Sequence, residues 1–278
     1  MLDTHHHLWA YNTVDYGWIP EDSALAQDQL LPELLAATSA AGVTGTIAVQ
    51  ARQVIEESDA LLDMADQGDL ICGVVGWVPL IDEKVEQHLE RLAAHPKFVG
   101  VRHVLQEEPD DYFLLNDFHR GLSLLPRHGL VYDLLLFQRQ IPLALQLIDR
   151  QPNLEIIIDH LAKPEARNGQ VEPAWRSGMK KLAERDNIRG VKFSGLVTEF
   201  ADDQEIDPAT LQAYFNETLE IFGADRVMFG TDWPVCLLRI NSSSEWAETV
   251  RSFASALSTD EQARILQTNG FSAYHLKT

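Results

Sequence analysis

Leu154-Glu155-Ile156-Ile157-Ile158-Asp159-His160-Leu161-Ala162-Lys163-Pro164 is an apolar, β-branched run that ends in an acid, an imidazole and an amine. Its first seven residues, Leu154–His160, read as a strand. The flanking segments Phe137–Gln151 and Pro173–Arg185 carry apolar residues at three- and four-residue spacing, the period of one helical face. A strand set between two helices implies parallel pairing with its neighbours.

The same alternation extends in both directions. Leu2–His5, Val43–Gln50, Leu70–Val78, Phe98–Leu105 and Leu130–Leu135 precede this run as strands, and Gly190–Leu196 and Arg226–Thr231 follow it. Helices are expected over Gln29–Ala41, Glu57–Gln67, Asp82–Ala94, Pro208–Phe222 and Glu245–Leu257. The first two stop before Gly42 and Gly68 and the third before Pro96, the usual helix terminators. Eight strand–helix units in roughly 250 residues match a (β/α)8 TIM barrel, an α/β fold, in one domain over residues 1–278. An open doubly wound sheet would carry a glycine-rich phosphate turn after its first strand, and there is none.

Composition narrows the partners. The formal net charge of −20 repels nucleic acid and anionic membrane surfaces, so neither is expected to bind. A small anionic substrate is still admissible, because local basic residues can reverse the field inside a pocket. No apolar stretch follows a basic leader and none is long enough to span a bilayer, so a cytoplasmic protein is expected. Two cysteines are too few for a disulfide framework; Cys72, inside Leu70–Val78, is expected as a buried free thiol.

Barrel enzymes build their sites at the C-terminal ends of the strands. Strand one yields His5 and His7, two residues apart and therefore on one side of the backbone. Two aligned imidazoles can hold a metal or an oxyanion. Strand two yields Gln50 and Arg52, strand three Trp77, and strand four Arg102 and His103, adjacent residues of which only one can look into the barrel. Strand five yields Tyr132 and Asp133, strand six Asp159, His160 and Lys163, strand seven Lys192 and Ser194, and strand eight Asp232 and Trp233. A carboxylate at Asp232 can bind the same metal as the histidines, orient a water, or accept its proton. The segment Leu8–Asp22 carries Trp9, Tyr11, Tyr16 and Trp18; it reads either as a lid that packs on a substrate ring or as a plug anchoring the loop itself.

Five blocks carry a resemblance: Asp3-Thr4-His5-His6-His7-Leu8-Trp9, Gly100-Val101-Arg102-His103-Val104-Leu105-Gln106-Glu107-Glu108-Pro109, Ile158-Asp159-His160-Leu161-Ala162-Lys163-Pro164, Val191-Lys192-Phe193-Ser194-Gly195-Leu196-Val197-Thr198-Glu199, and Gly230-Thr231-Asp232-Trp233-Pro234. Together they resemble the amidohydrolase superfamily, and within it the amidohydrolase-2 branch of sugar lactonases of the L-fuconolactonase and L-rhamnonolactonase type. The resemblance implies a lactone substrate opened by water, with Asp232 as general base and His160 beside it. It implies a single divalent ion, zinc, held by some of His5, His7, His160 and Asp232, or no metal at all. Binuclear members place a lysine on strand four and a histidine on strand five; this chain has Arg102 and His103, then Tyr132 and Asp133, so two metals are not expected. Arg102, His103, Gln50, Arg52, Lys192, Trp9 and Trp77 are the candidate substrate contacts. The alternative substrates are a pyrone dicarboxylate or a decarboxylation substrate, for which Arg52, Arg102, Lys163 and Lys192 could supply cations.

Overall fold

The computed structural model describes residues 1–201 and 203–277. Eight parallel strands form one sheet in sequence order: β1 (Leu2–His6), β2 (Gly45–Val49), β3 (Ile71–Gly76), β4 (Phe98–His103), β5 (Val131–Leu134), β6 (Ile156–Ile158), β7 (Ile188–Phe193) and β8 (Val227–Phe229). The first and last strands meet through the residues beyond β8. Thr231 N donates to Asp3 Oδ1 at 2.8 Å, Asp232 N to the His5 carbonyl at 2.8 Å, and His7 N to the Trp233 carbonyl at 2.7 Å. The two signature ends of the sequence are thereby stitched side by side, and the expected α/β barrel is the fold.

The helices α1 (Leu31–Ala41), α2 (Ile55–Ala65), α3 (Val85–Ala93), α4 (Asn116–Leu122), α5 (Ile141–Asp149), α6 (Pro173–Ala183), α7 (Pro208–Phe222) and α8 (Ser243–Ala254) surround the sheet. Their ends follow local chemistry. Gly42 closes α1 in the left-handed conformation at φ 67°, Asp207 caps α7 by accepting from Ala209 N, and Ser242 caps α8 by accepting from Glu245 N. The largest apolar core lies between strands and helices. A second cluster, Leu2, Ile47, Val49, Val75, Val99, Val131, Ile157 and Met228, draws from seven of the strands. Tyr274 and Ala273 join it from the C-terminal segment, where α9 (Thr259–Ala263) and α10 (Asn269–Ala273) are joined by a π-helical turn.

Three expectations differ from the structure. α4 and the 3-10 turns around it were not legible, because the β4–β5 connection is broken into short pieces. β6 is three residues long rather than seven, since the chain leaves the strand at Asp159 into a turn. Cys72 is half-buried rather than buried, lying against Leu70 and Asp69 carbonyls; Cys236 is the buried thiol, and both are free.

Candidate active site

The end of β1 brings His5 and His7, the residue just beyond the strand, together. His5 Nε2 and His7 Nε2 lie 3.3 Å apart, while His6 turns away to Thr46 Oγ1 at 3.0 Å. His7 Nδ1 sits 2.8 Å from the Val49 carbonyl. A carbonyl oxygen only accepts, so Nδ1 carries a proton, and in the neutral ring Nε2 presents a lone pair.

Asp232 faces three imidazoles. Its Oδ1 is 3.4 Å from His7 Nε2, 3.7 Å from His160 Nε2 and 3.8 Å from His5 Nε2. Burial alone would raise this carboxyl, but His160, His7 and Lys163 together hold it below the ordinary carboxylate range. Burial pushes His160 down to about 4, so its imidazole is neutral at pH 7, with Nδ1 against Ser194 Oγ at 2.9 Å.

Both residues sit on backbone that L-amino acids seldom adopt. Asp232 has φ 56°, and His160, Leu161, Ala162 and Lys163 form a left-handed run at 48°, 57°, 55° and 44°. Such residues cost roughly 1–2 kcal/mol each, so surrounding contacts must hold them. The buried Trp175 does so from α6, donating from Nε1 to the Leu161 carbonyl at 2.6 Å. The turn carries both His160 and Lys163 to one opening.

Beneath the histidines lies a fully buried charge cluster. Lys192 Nζ is 2.5 Å from Asp133 Oδ2, 2.9 Å from Asp159 Oδ1 and 3.0 Å from His5 Nδ1. Tyr274 Oη donates to Asp133 from below, 2.9 Å from each carboxylate oxygen. Arg102 Nη1 reaches Asp159 Oδ2 at 3.2 Å and lies 3.3 Å from His5 Nε2, while its Nη2 donates to the Gln50 carbonyl. Burial raises the Asp133 carboxyl to about 6 despite Lys192, whereas Lys192, His5 and Arg102 overcome burial at Asp159 and hold it well below its usual range.

Above the cluster opens a cleft of about 510 Å³. Of the expected contacts, Trp9, Arg52, Arg102, His7, His160, Lys163 and Asp232 line it. His5, Gln50, Trp77, His103 and Lys192 do not. Gln50 instead pairs with Arg102, and Lys192 is sealed beneath His5. His103 Nδ1 accepts from Trp77 Nε1 at 3.2 Å, its Nε2 meets Glu108 Oε1 at 2.9 Å, and its ring stacks on Tyr112. Of the adjacent pair, Arg102 is therefore the one that faces the cleft. Asp15, Gln53, Gln106 and Glu107 also line it and were not singled out, although Gln106 and Glu107 lie in one of the quoted blocks.

The donors suit a metal ion. His5, His7 and Asp232 offer two imidazole nitrogens and a carboxylate oxygen within 4.8 Å of one another, all buried, as a mononuclear three-ligand site requires. His5, Asp159 and His160 form an overlapping group. The Asp133 and Asp159 carboxylates beneath this group are paired with the Lys192 ammonium.

The fold and the site define a barrel of hydrolase type, and the family profile of the amidohydrolases matches residues 2–276: the chain belongs to the amidohydrolase family. Among curated proteins it is similar to an L-fucono-1,5-lactonase of Burkholderia multivorans, 36% identical over 95% of this chain and 92% of that one. An L-fucono-1,5-lactonase of Burkholderia ambifaria is 33% identical over 85% and 81%. A crystal structure of a Burkholderia multivorans amidohydrolase with bound zinc superposes with a TM-score of 0.93, at 34% identity over 99% of each chain.

Proposed function

We propose that the protein hydrolyses a sugar lactone to its aldonic acid, with Asp232 as general base. The observation that carries the reading is the placement of an ionised, buried carboxylate among three imidazoles at the base of a cleft. Asp232 takes the proton of the attacking water. His160, neutral and fixed by Ser194, and the guanidinium of Arg102 both line the cleft and stabilise the carbonyl oxygen as it gains charge. A zinc ion at His5, His7 and Asp232, when bound, would polarise the lactone carbonyl.

The charge distribution favours a neutral polyol over a dicarboxylate. Each cation among the cleft's described lining residues already has a carboxylate partner: Arg52 with Asp15 at 3.0 Å, Arg102 with Asp159 at 3.2 Å and Lys163 with Glu199 at 3.2 Å. A dianionic substrate would have to displace one of them. Gln53, Gln106 and Glu107 in the lining suit hydroxyl groups instead, and the exposed Trp18 indole offers a flat face for the C–H side of a sugar ring. The names of the two Burkholderia lactonases support the same substrate class.

The test is a comparison of kcat/KM for L-fucono-1,5-lactone, other aldonolactones, a pyrone dicarboxylate and an aryl ester. Aldonolactones are expected to be the best substrates by a wide margin. A pyrone dicarboxylate as the best substrate would replace the sugar reading.

A further inference from the structure

Lys192 is fully buried, yet it touches nothing in the cleft. An ammonium group has three hydrogens and no lone pair. Its three near neighbours, Asp133 Oδ2 at 2.5 Å, Asp159 Oδ1 at 2.9 Å and His5 Nδ1 at 3.0 Å, are three acceptors, one for each hydrogen. If His5 Nδ1 accepts, the neutral ring carries its proton on Nε2. The partner on that side agrees: His7 Nε2, 3.3 Å away, holds a lone pair because His7 Nδ1 donates to Val49.

Two contacts argue for the opposite tautomer, and both are longer than the 3.0 Å contact from Lys192. Asp159 Oδ1 lies 3.4 Å from His5 Nδ1, but Lys192 already donates to that oxygen at 2.9 Å. Arg102 Nη1 lies 3.3 Å from His5 Nε2, and it also donates to Asp159 Oδ2 at 3.2 Å. A His5 protonated on Nδ1 would point an N–H at a fixed ammonium 3.0 Å away and set two lone pairs face to face at 3.3 Å.

We propose that Lys192 is a positioning residue that locks His5 with its proton on Nε2, directed at His7 and Asp232 as a hydrogen-bond donor, and that it thereby weakens the site's hold on a divalent cation. Metal ligation by His5 Nε2 needs the lone pair on that atom and the proton moved to Nδ1, where the ammonium stands. The positive charge of Lys192, in a dry interior, opposes a second cation nearby. The inference rests on His5, His7 and Asp232 being the reacting end of the cleft and is independent of which lactone is used.

The experiment needs no substrate. Nitrogen-15 NMR of the histidine rings in metal-free wild-type protein should show His5 protonated on Nε2; protonation on Nδ1 would overturn the proposal whatever the variants do. Zinc affinity, read by competition with a chromophoric chelator, should rise about 10–100-fold in Lys192→Met, the scale of effect known for groups behind a metal ligand. Lys192→Arg, which keeps a cation and donors, should bind zinc as weakly as wild type. An unchanged or weaker zinc affinity in folded Lys192→Met would refute the role. Should that variant fail to fold, the wild-type tautomer alone decides.

Discussion

A methyl group added to Gly195 would lie 2.5 Å from Nδ1 of His160, closer than any side-chain contact allows. Gly195 follows Ser194, which holds the same nitrogen, and has φ +64°. The residue is thus small for two reasons, backbone conformation and the ring beside it. Gly195→Ala is expected to lower stability by about 1–3 kcal/mol from backbone strain alone. It should also cut kcat far more than a surface change of equal stability cost, since the His160 ring must swing off Ser194. Denaturant unfolding beside steady-state kinetics checks both; full activity would detach His160 from catalysis.

Asp232→Asn should keep the fold and lose about 10²–10⁴-fold in turnover, because an amide cannot take the proton of water. The side chain's fixed geometry makes the comparison clean: Asp232 N is held by His5 and its φ of 56° is one that asparagine also tolerates. Circular dichroism with a lactone rate assay reads the outcome. Near wild-type turnover would remove Asp232 from the role of base.

Metal content should not exceed one divalent ion per chain. The donors at His5, His7 and Asp232 can hold one ion, and the nearby carboxylates of Asp133 and Asp159 are already paired with Lys192. Elemental analysis of untagged protein measures this directly. Two ions per chain would contradict the single-ion reading.

Glu57 offers a pH test of stability away from the chemistry. Burial raises its carboxyl to about 7, although the backbone N–H groups of Arg52 and Ala51 and the charges of Arg52 and Arg102 oppose the shift. A folded pKa above the unfolded value of 4.5 means the folded state binds the proton more tightly. This contribution is complete below pH 4.5 and is lost as pH rises through about 7. Glu57→Gln keeps the acceptor and cannot titrate, so its stability relative to wild type should improve between pH 5 and pH 8. A pH-independent difference between the two proteins would show that Glu57 is ionised throughout.

Much of this was readable in the chain because hydrophobic period and strand-end polarity are local signals. His5 and His7 fall on one side as their spacing requires, and Asp232 comes beside them because strand eight closes on strand one. Depth was not readable. Lys192 and Trp77 stand at strand ends as expected, but whether such a residue opens to the cleft depends on neighbours distant in sequence: Asp133, Asp159 and Tyr274 for Lys192, His103 and Ser58 for Trp77. The left-handed turn from His160 to Lys163 was equally hidden, since none of its residues is glycine. Tyr274 escaped notice because its partner lies 141 residues away.

The loop Leu8–Asp22 was open to two readings, lid or plug, and the structure divides them between two tryptophans. Trp9 is 2% exposed, packs with Tyr16, Ile19 and Leu25, and donates from Nε1 to the Gln27 carbonyl at 3.1 Å. Trp18 stands edge-on to it, 6.0 Å between ring centroids, with 52% of its surface exposed, and still lines the cleft. Removing Trp9 empties a packed cluster, so Trp9→Ala should destabilise by about 3–5 kcal/mol. Removing Trp18 exposes little that was hidden, so Trp18→Ala should stay within about 0.5 kcal/mol of wild type. If Trp18 covers bound substrate, its loss raises KM for an aldonolactone several-fold while kcat changes little, the pattern of an interaction made equally in ground and transition states. Thermal unfolding separates the two variants first and kinetics second. A Trp18→Ala enzyme with unchanged KM would leave the exposed indole without a part in binding.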